Sequence, residues 1–309
     1  MPPTDVDFLS PPWPEVAIIV LNWNNYEDTA ECLRSLREVE YPNFHVWVVD
    51  NNSTDGSGEQ LSEEFGWCEF VFNDQNNGFA AGNNIGIKRA LSTGPKYILL
   101  LNNDTVVSSE FLIKLVQAGE SSANTGIVGA AITDVDDEYV LDAGRKFNKY
   151  TLALENPHQG KNLEELGGQQ NSHAITGCCM LIKKEVIDEI GLLDSSHFFF
   201  GGEDVDYCIR ARKEGWKIVV QQSSQIRHKM NLRSRSTSPL RKYHSKRNKV
   251  YLAKLHTHKV NLFAITLRTI IDTYRVIEYM HQGQWDMAKA IYTGYIDAIL
   301  SRSENKRFE

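Results

Sequence analysis

The stretch YILLLNNDTVV, residues 97–107, joins an apolar run to a polar triplet. A continuous apolar run of this length is typical of a strand buried on both faces, as in a parallel sheet. Asn-Asn-Asp is favourable turn chemistry, so the triplet by itself predicts only a turn after the strand. The alternative is that Asp104, the one charged residue of the triplet, is the carboxylate of a metal site.

The same pattern recurs through the first half of the chain. Apolar strands are predicted at 16–21, 45–50, 69–73 and 126–133, and helical segments separate most of them. This alternation predicts right-handed βαβ units and a parallel sheet. Ligands of such sheets bind beyond the carboxyl ends of the strands. Four of the predicted strands end in Asn or Asp, which predicts one polar rim: Asn22, Asp50, Asn73 and Asn102.

The later segments are less regular. Residues 137–172 are predicted to form loops and short strands, and 174–182 a further strand. Glu203 and Asp204 open a predicted helix, where acidic side chains favour the positive end of the helix dipole. A strand at 216–222 is followed by a polar, basic segment at 223–239 that predicts a loop, and helices are predicted from Leu240 onward.

Composition restricts the class of protein. The chain has 309 residues, of which 41% are hydrophobic and 24% charged, as in ordinary globular domains. No apolar run approaches the length of a membrane span, and the acidic, Pro-rich start lacks the features of a signal peptide. The five cysteines are odd in number and lack metal-ligand spacing, which predicts free thiols in a reducing cytosol.

Charge is unevenly distributed although the net charge is only −7. Residues 215–271 contain no Asp or Glu and about a dozen Lys and Arg. Such a segment predicts a basic surface that meets a membrane, a phosphate-bearing ligand or nucleic acid, the alternative being a solvated basic face. No motif of a known nucleic-acid reader is present. GxGxxG after the first strand and GxxxxGK[ST] are absent too, which disfavours a dinucleotide fold and a P-loop.

Six motifs in a consistent order carry a family resemblance. They are VAIIVLNWNN, VWVVDNNSTDGS, NNGFAAGNNIGI, YILLLNNDTVV, TGCCMLIKKEV and GLLDSSHFFFGGEDVDYCIRARKEGW, followed by IRH. Over residues 15–230 the chain resembles the inverting glycosyltransferases with the GT-A fold, glycosyltransferase family 2, and among them the bacterial rhamnosyltransferase-like members. The resemblance implies an α/β fold with a Rossmann-like, mainly parallel sheet flanked by helices, and a C-terminal helical extension.

The resemblance also implies a donor-binding surface. Asp50 is expected to contact the donor base, and the same surface is expected to include Asn22, Asn52, Asp55, Asn77, Gly78, Asn83, Asn102 and Asn103. Glycine suits such a place, because a missing Cβ lets backbone approach a phosphate. The alternative for Gly78 is that it only makes a turn in the glycine-containing loop predicted at 76–82.

Metal and base residues follow from the same motifs. Asn102-Asn103-Asp104 matches the family's metal triplet, which more often has an acid at its first position. Mg²⁺ and Mn²⁺ take oxygen ligands from few protein groups, so Asp104 can serve as the one carboxylate, with His228 as a further ligand or merely structural. Asp204, with Glu203 second, is expected to be the catalytic base. The alternative is that this acidic pair only caps a helix.

We therefore expect an inverting hexosyltransferase of polysaccharide or cell-envelope biosynthesis. Its expected parts are an N-terminal tail (1–14), a GT-A catalytic domain (15–238, with donor and acceptor halves at about 15–133 and 134–238) and a helical extension (239–309). The donor would be a dTDP- or UDP-linked, rhamnose-like sugar, and the acceptor a glycan or lipid-linked glycan. The site would be cytoplasmic, with peripheral membrane contact through the basic C-terminal region and no nucleic-acid partner. The alternatives are a sugar-nucleotide pyrophosphorylase and a non-catalytic nucleotide-sugar-binding protein.

Overall fold

A computed structural model describes residues 13–148, 153–229, 238–256 and 262–300. Within these ranges the chain forms twelve strands. They are β1 (Val16–Asn22), β2 (Phe44–Asp50), β3 (Glu69–Phe72), β4 (Tyr97–Asn102), β5 (Thr105–Val107), β6 (Thr125–Thr133), β7 (Val140–Asp142), β8 (Lys146–Asn148), β9 (Ala153–Glu155), β10 (Gln169–Asn171), β11 (Cys179–Lys183) and β12 (Lys217–His228).

Nine α-helices accompany them in the same described ranges. They are α1 (Tyr26–Arg37), α2 (Ser57–Glu64), α3 (Gly78–Leu91), α4 (Phe111–Glu120), α5 (Lys184–Ile190), α6 (Glu203–Lys213), α7 (Pro239–His256), α8 (Leu262–His281) and α9 (Trp285–Ile299). None of these helices is long and apolar enough to cross a membrane.

One mixed sheet organises the described chain. Its main path runs β10-β12-β6-β11-β4-β1-β2-β3, with β5 added to β12 and β7 to β6. Strands β3, β2, β1 and β4 are mutually parallel, whereas β11 lies antiparallel between β4 and β6. The predicted α/β class with a mainly parallel central sheet and C-terminal helices is confirmed.

The sheet is buried on both faces, as the apolar runs predict. In β1, Ile18 packs into one hydrophobic cluster and Ile19 into the other, and both are fully buried. Alternation of side chains across a strand explains this division. The helices therefore cover both faces, and the carboxyl ends of the strands form an edge that carries polar residues.

The glycine-containing loop predicted at 76–82 is wrong, because α3 begins at Gly78. Two glycines of this helix lie against the sheet. A Cβ on Gly82 would stand 2.7 Å from Leu21 Cδ1, and a Cβ on Gly86 would stand 2.6 Å from Ile19 Cγ2. The missing side chains of these glycines let α3 pack closely on the sheet, which explains why glycine occurs here within a helix.

The loop predicted at 223–239 is wrong over its first part, because β12 continues to His228. The polar composition misled the prediction. Ser224 is buried and donates a hydrogen bond to the carbonyl of Phe111, and Ile226 is buried and pairs with Val107 of β5. The rest of the predicted loop falls largely on residues 230–237, outside the described residues.

Helix α7 packs on the rest of the fold through polar side chains. Arg247, 1% exposed, donates from Nη1 to the carbonyl of His197, and Asn248 donates from Nδ2 to the carbonyl of Phe200. Lys246 forms a buried ion pair with Asp272 of α8, 2.7 Å long. The basic residues at the middle of α7 are therefore part of the protein interior.

Candidate active site

The polar residues that follow the central strands meet at one edge of the sheet. Asn22 of β1 is the register partner of Asp50 in β2, and the adjacent Leu21 is the partner of Asn102 in β4. Asn73 donates its backbone N–H to the carbonyl of Asp50. The polar rim predicted from the sequence therefore exists as one continuous edge.

Asp50 is held by a fixed set of donors. Its Oδ1 accepts a hydrogen bond from Asn22 Nδ2 at 2.8 Å, and its Oδ2 accepts from the backbone N–H of Ser53 at 2.9 Å. Gly58 lies against this carboxyl group, and a Cβ at this position would collide with it because it would stand only 2.7 Å from Asp50 Cγ. Asp50 is 4% exposed and is oriented by its neighbours before any ligand binds.

Asn52 and Asp55 lie on the turn that follows β2, and both are exposed. Asn52 has a φ of 62°, a left-handed conformation that Asn tolerates better than most residues. Asp55 accepts a hydrogen bond at Oδ1 from the backbone N–H of Ser57. The pKa of Asp55 is lowered, chiefly by the Ser57 side chain and to a lesser extent by this backbone bond. The turn thus presents an ionised carboxylate to solvent beside the rim.

Asn51 links the ends of β2 and β3 to the start of α3, and the sequence reasoning missed it. Its Oδ1 accepts from the N–H of Asn77 and from Asn73 Nδ2, and its Nδ2 donates to Asn76 Oδ1. It is 2% exposed. Its place directly after Asp50 in a run of strand-terminal polar residues was the one available signal.

Gly78 sits where α3 meets the segment before α6. Its φ is +74°, and a Cβ would lie 2.5 Å from the carbonyl oxygen of Phe199. The next N–H, that of Phe79, donates to this same oxygen at 2.7 Å. Gly78 is therefore required by both backbone conformation and space. Asn83 is buried and turns back into α3, donating from Nδ2 to the carbonyl of Phe79.

Asp104 and His228 form the centre of the predicted metal site. His228 Nε2 lies 3.1 Å from Asp104 Oδ1, and the His228 side chain is 4% exposed. Burial alone would raise the pKa of Asp104, but the interaction with His228 outweighs it and the pKa is lowered. Oδ1 is buried and receives no well-aligned hydrogen bond despite the short contact. His228 therefore lies within interaction distance of this oxygen, and the oxygen retains acceptor capacity.

The two asparagines of the triplet have different surroundings. Asn103 donates from Nδ2 to Thr29 Oγ1 at 2.7 Å, which ties the triplet to α1. Asn102 interacts with Asp104 through its side chain and contributes to the lowered pKa of that carboxyl group. No group of three or more His, Cys, Asp or Glu side chains suited to a metal occurs among the described residues. A carboxylate and an imidazole, as in Asp104 and His228, are each ligand types that divalent ions accept.

Glu203 and Asp204 begin α6 and are 5% and 9% exposed. The N-cap is Gly202, in a left-handed conformation with φ of 100° and no side-chain cap. Asp204 Oδ2 accepts from the N–H of Gly177 at 3.2 Å, outside its own helix. Asp204 Oδ1 accepts from the backbone N–H of Val205 at 2.8 Å, in the first turn of α6. Asp206 pairs with Arg210 and His256. Asp204 therefore contributes to the start of α6 and also reaches outside it.

One cavity of about 160 Å³ brings the acidic pair to His228, the partner of Asp104. Its wall includes Asn102, His228, Glu203 and Asp204, together with Phe200. The other predicted donor residues do not line this wall: Asn22, Asp50, Asn52, Asp55, Asn77, Gly78, Asn83 and Asn103. The geometry therefore separates a metal-and-base cavity from a longer polar edge.

Asp142 and Arg145 lie at the site, although no motif of the sequence indicates them. Asp142 lines the cavity and pairs with Arg145 Nε, and Arg145 Nη1 lies 4.0 Å from Asp204 Oδ2. Burial would lower the pKa of Arg145, but these two carboxylates outweigh it and raise the pKa. Arg145 therefore remains a cation beside the acidic pair. The irregular pattern of residues 137–172 hid both residues.

Comparison with known proteins places the chain among glycosyltransferases. Residues 17–191 match the family model described as Glycosyl transferase family 2. The chain is 25% identical over 303 residues to the low-salt glycan biosynthesis hexosyltransferase Agl10 of Haloferax volcanii, covering 94% of this chain and 92% of that one. It is 23% identical over 272 residues to the dTDP-rhamnosyl transferase RfbF of Shigella flexneri, covering 79% and 85%.

A solved structure supports the fold. The mannosyltransferase PcManGT from Pyrobaculum calidifontis, in complex with GDP-Man and Mn²⁺, superposes with a TM-score of 0.61 at 13% identity. The match covers 94% of this chain and 88% of that chain. At this identity the likeness is one of architecture, and it agrees with the GT-A fold expected from the sequence.

Proposed function

Because this chain belongs to glycosyl transferase family 2, we propose that it moves a hexose, with a rhamnose-like sugar favoured, from a nucleoside diphosphate donor to a glycan or lipid-linked glycan. The observation that carries this proposal is the shared cavity of His228, Asn102 and the Glu203–Asp204 pair, next to Asp104. The names of two relatives, a hexosyltransferase and a dTDP-rhamnosyl transferase, support a hexose and, of the two expected donors dTDP and UDP, a dTDP-linked sugar.

The polar rim is proposed to bind the donor nucleotide. Asp50 and Asn22 form a preorganised pair at the ends of β1 and β2, and Asn52 and Asp55 stand exposed beside them. Helix α3 begins at Gly78, next to the same edge, and the positive end of its dipole favours a phosphate. The N–H groups of Gly78 and Phe79 are themselves bonded to Asn76 Oδ1 and to the carbonyl of Phe199. Asn77, Asn83 and the triplet asparagines are proposed to complete this surface.

A divalent cation, Mg²⁺ or Mn²⁺, is proposed to be held by Asp104 and His228. The buried, poorly hydrogen-bonded Oδ1 of Asp104 and the imidazole beside it match the ligand types that such ions accept. When bound, the ion supplies charge neutralisation for the diphosphate leaving group. Asn102 in place of an acid leaves Asp104 as the carboxylate of the triplet.

Asp204 is proposed to be the base and Glu203 to support it. The oxygen of an acceptor hydroxyl bonds to the anomeric carbon while the bond from that carbon to the diphosphate breaks, and Asp204 takes the hydroxyl proton. Attack from the face opposite the diphosphate inverts the anomeric centre. Arg145 Nη1 lies 4.0 Å from Asp204 Oδ2 and places a cation beside the proposed base.

The domain division is also a proposal: a tail at 1–14, a catalytic domain at 15–238 and an extension at 239–309. The anchoring of α7 on residues 197–200 indicates that the extension supports the catalytic segment. The membrane contact predicted for the basic C-terminal region stays a proposal, and Lys246 and Arg247 are excluded from it because they are buried.

We propose that α8 also contributes to this membrane contact. Ile270, Tyr274 and Ile277 are exposed at helical spacing, and Arg275 is exposed beside them. An apolar stripe with a neighbouring cation suits the interface of an anionic membrane. We place the enzyme on the cytoplasmic face, where flotation with anionic liposomes should depend on Ile270 and Ile277.

Incubation with a panel of sugar nucleotides and Mn²⁺ tests the proposed function. We expect slow hydrolysis of one donor class, releasing a nucleoside diphosphate and free sugar. A pyrophosphorylase would instead consume pyrophosphate and release a sugar phosphate. A non-catalytic binding protein would bind a donor without turnover in any combination, and either result would contradict the proposal.

A further inference from the structure

A second cavity, of about 240 Å³, lies between α7 and the start of α6. It shares Phe200, Gly201 and Asp204 with the first cavity, whose wall includes His228. Asp204 therefore has one cavity on its donor side and another on its α7 side. A base must lie within hydrogen-bond reach of the acceptor hydroxyl that it deprotonates, so a second cavity that also borders Asp204 is suitably placed for the acceptor.

The wall of this second cavity is rich in cations. Arg145, Arg241 and Lys249 line it, and Asp204 is the one carboxylate among its lining residues. His244 adds no charge at neutral pH, because burial and the neighbouring Arg247 lower its pKa to about 4. Even with Asp142 counted as the partner of Arg145, the cations outnumber the acids. The cavity therefore favours an anion.

Helix α7 holds two of these cations in fixed positions. Arg241 and Lys249 are two helical turns apart and share a face with Ser245, which also lines the cavity. The guanidinium of Arg241 lies over the ring of Phe200, with Cζ 5.7 Å from the ring centroid. Asn248, on the adjoining stripe, is bonded to the carbonyl of Phe200. Cations on one helix face are thereby positioned against the segment that leads into Asp204.

We propose that this cavity is an acceptor subsite that binds an anionic group of the acceptor, a phosphate or a carboxylate, through Arg241, Lys249 and Arg145. This inference rests on the proposed function and adds a substrate class to it. Guanidinium groups bind phosphate and carboxylate oxygens in a bidentate manner, so they orient as well as attract. An acceptor held there by its anionic group would present a nearby hydroxyl to Asp204.

Direct anion binding by the full chain tests the subsite. The probes are inorganic phosphate in one arm and glucuronate in the other, titrated calorimetrically in EDTA so that no metal-dependent donor site contributes. Arg241→Gln and Lys249→Gln should each raise the dissociation constant about tenfold, as the loss of one charge-assisted contact implies. Lys242→Gln is the matched control, because Lys242 lies over Tyr279 of α8 and outside the cavity wall.

Phosphate binding would assign the subsite to a phosphorylated acceptor, and glucuronate binding to an acidic sugar. Binding of neither probe would overturn the inference, as would equal losses in Lys242→Gln and Lys249→Gln. Folding of each variant is checked by its thermal midpoint. Release of nucleoside diphosphate from sugar nucleotides is measured separately. Loss of anion binding with normal release of nucleoside diphosphate would contradict the subsite alone. Absence of nucleoside diphosphate release would contradict the proposed transferase function.

Discussion

The Nε2 atom of His228 lies 3.1 Å from Oδ1 of Asp104, although 124 residues separate the two in sequence. Strand β5, which follows Asp104, pairs antiparallel with the end of β12, and His228 is the register partner of Thr105. A carboxylate from a turn is thus joined to an imidazole from a distant strand. The strand pairing thus brings together two side chains of metal-ligand type, whereas the NND triplet alone predicts only a turn.

Replacing Asp104 with Ala should abolish metal-dependent transfer. Loss of the carboxylate removes the anionic ligand, and the expected decrease in kcat is on the order of 10²–10³. Asn102→Asp is the matched variant, because it restores an acid at the first position of the triplet without removing Asp104. It should keep activity and bind Mn²⁺ at least as tightly, as measured by the metal concentration that gives half-maximal rate. An Asp104→Ala enzyme that still responds to Mn²⁺ would disprove the ligand assignment.

Asp204→Asn should reduce kcat by about 10²–10⁴, the range typical of a lost general base. Binding of the nucleoside diphosphate should be unchanged, because Asp204 lies at the α6 end of the cavity. Glu203→Gln, one residue away and equally buried, should have the smaller effect. Single-turnover rates and nucleotide dissociation constants measure the two quantities. Near wild-type transfer by Asp204→Asn would show that another group takes the proton.

Gly78→Ala should destabilise the fold and impair the site, whereas Gly94→Ala serves as its control. Both glycines have positive φ, which costs another residue about 1–2 kcal/mol. An added Cβ meets Phe199 at Gly78 but open space at Gly94. The collision should add a further ~1–3 kcal/mol to the loss in unfolding free energy. If Gly78→Ala and Gly94→Ala lose the same unfolding free energy in urea denaturation, Phe199 moves aside at no cost in stability and the predicted collision is wrong.

Removing one partner of the buried ion pair between Lys246 and Asp272 should destabilise the fold more than replacing both partners with apolar residues. Burial outweighs the pair at Lys246, whose pKa is lowered, whereas at Asp272 the bonds to Lys246 and Tyr295 outweigh burial and lower the pKa. Lys246→Met leaves the carboxylate buried, at a cost of about 3–5 kcal/mol. Lys246→Met with Asp272→Leu should recover most of that loss. A double variant as unstable as the single one would show that the pair itself stabilises the extension.

Several parts of the fold could be predicted because they depend on local pattern. The apolar runs of β1, β2 and β4 are buried on both faces, and their terminal residues Asn22 and Asp50 are paired in the sheet. Glu203 begins α6 as predicted. These features follow from hydrophobic periodicity and capping preferences, which act within a few residues.

Other parts depend on contacts between distant segments. The polar end of β12 looked like a loop, because nothing local showed that Ser224 would be buried against Phe111. Gly78 and Gly82 looked like loop residues, because their packing partners Phe199 and Leu21 lie elsewhere in the chain. Nothing local on α7 shows that Lys246 is buried in an ion pair with Asp272, which lies on α8.

The most direct test of the account is the identity of the nucleotide product. Phosphorus NMR of the reaction with the accepted sugar nucleotide and Mn²⁺ distinguishes cleavage at the anomeric carbon from cleavage within the diphosphate. We predict a nucleoside diphosphate as the phosphorus-containing product, formed by the wild type and lost in EDTA and in Asp104→Ala. Formation of a sugar phosphate, or of nucleoside diphosphate at the same rate without the metal and without Asp104, would contradict the account.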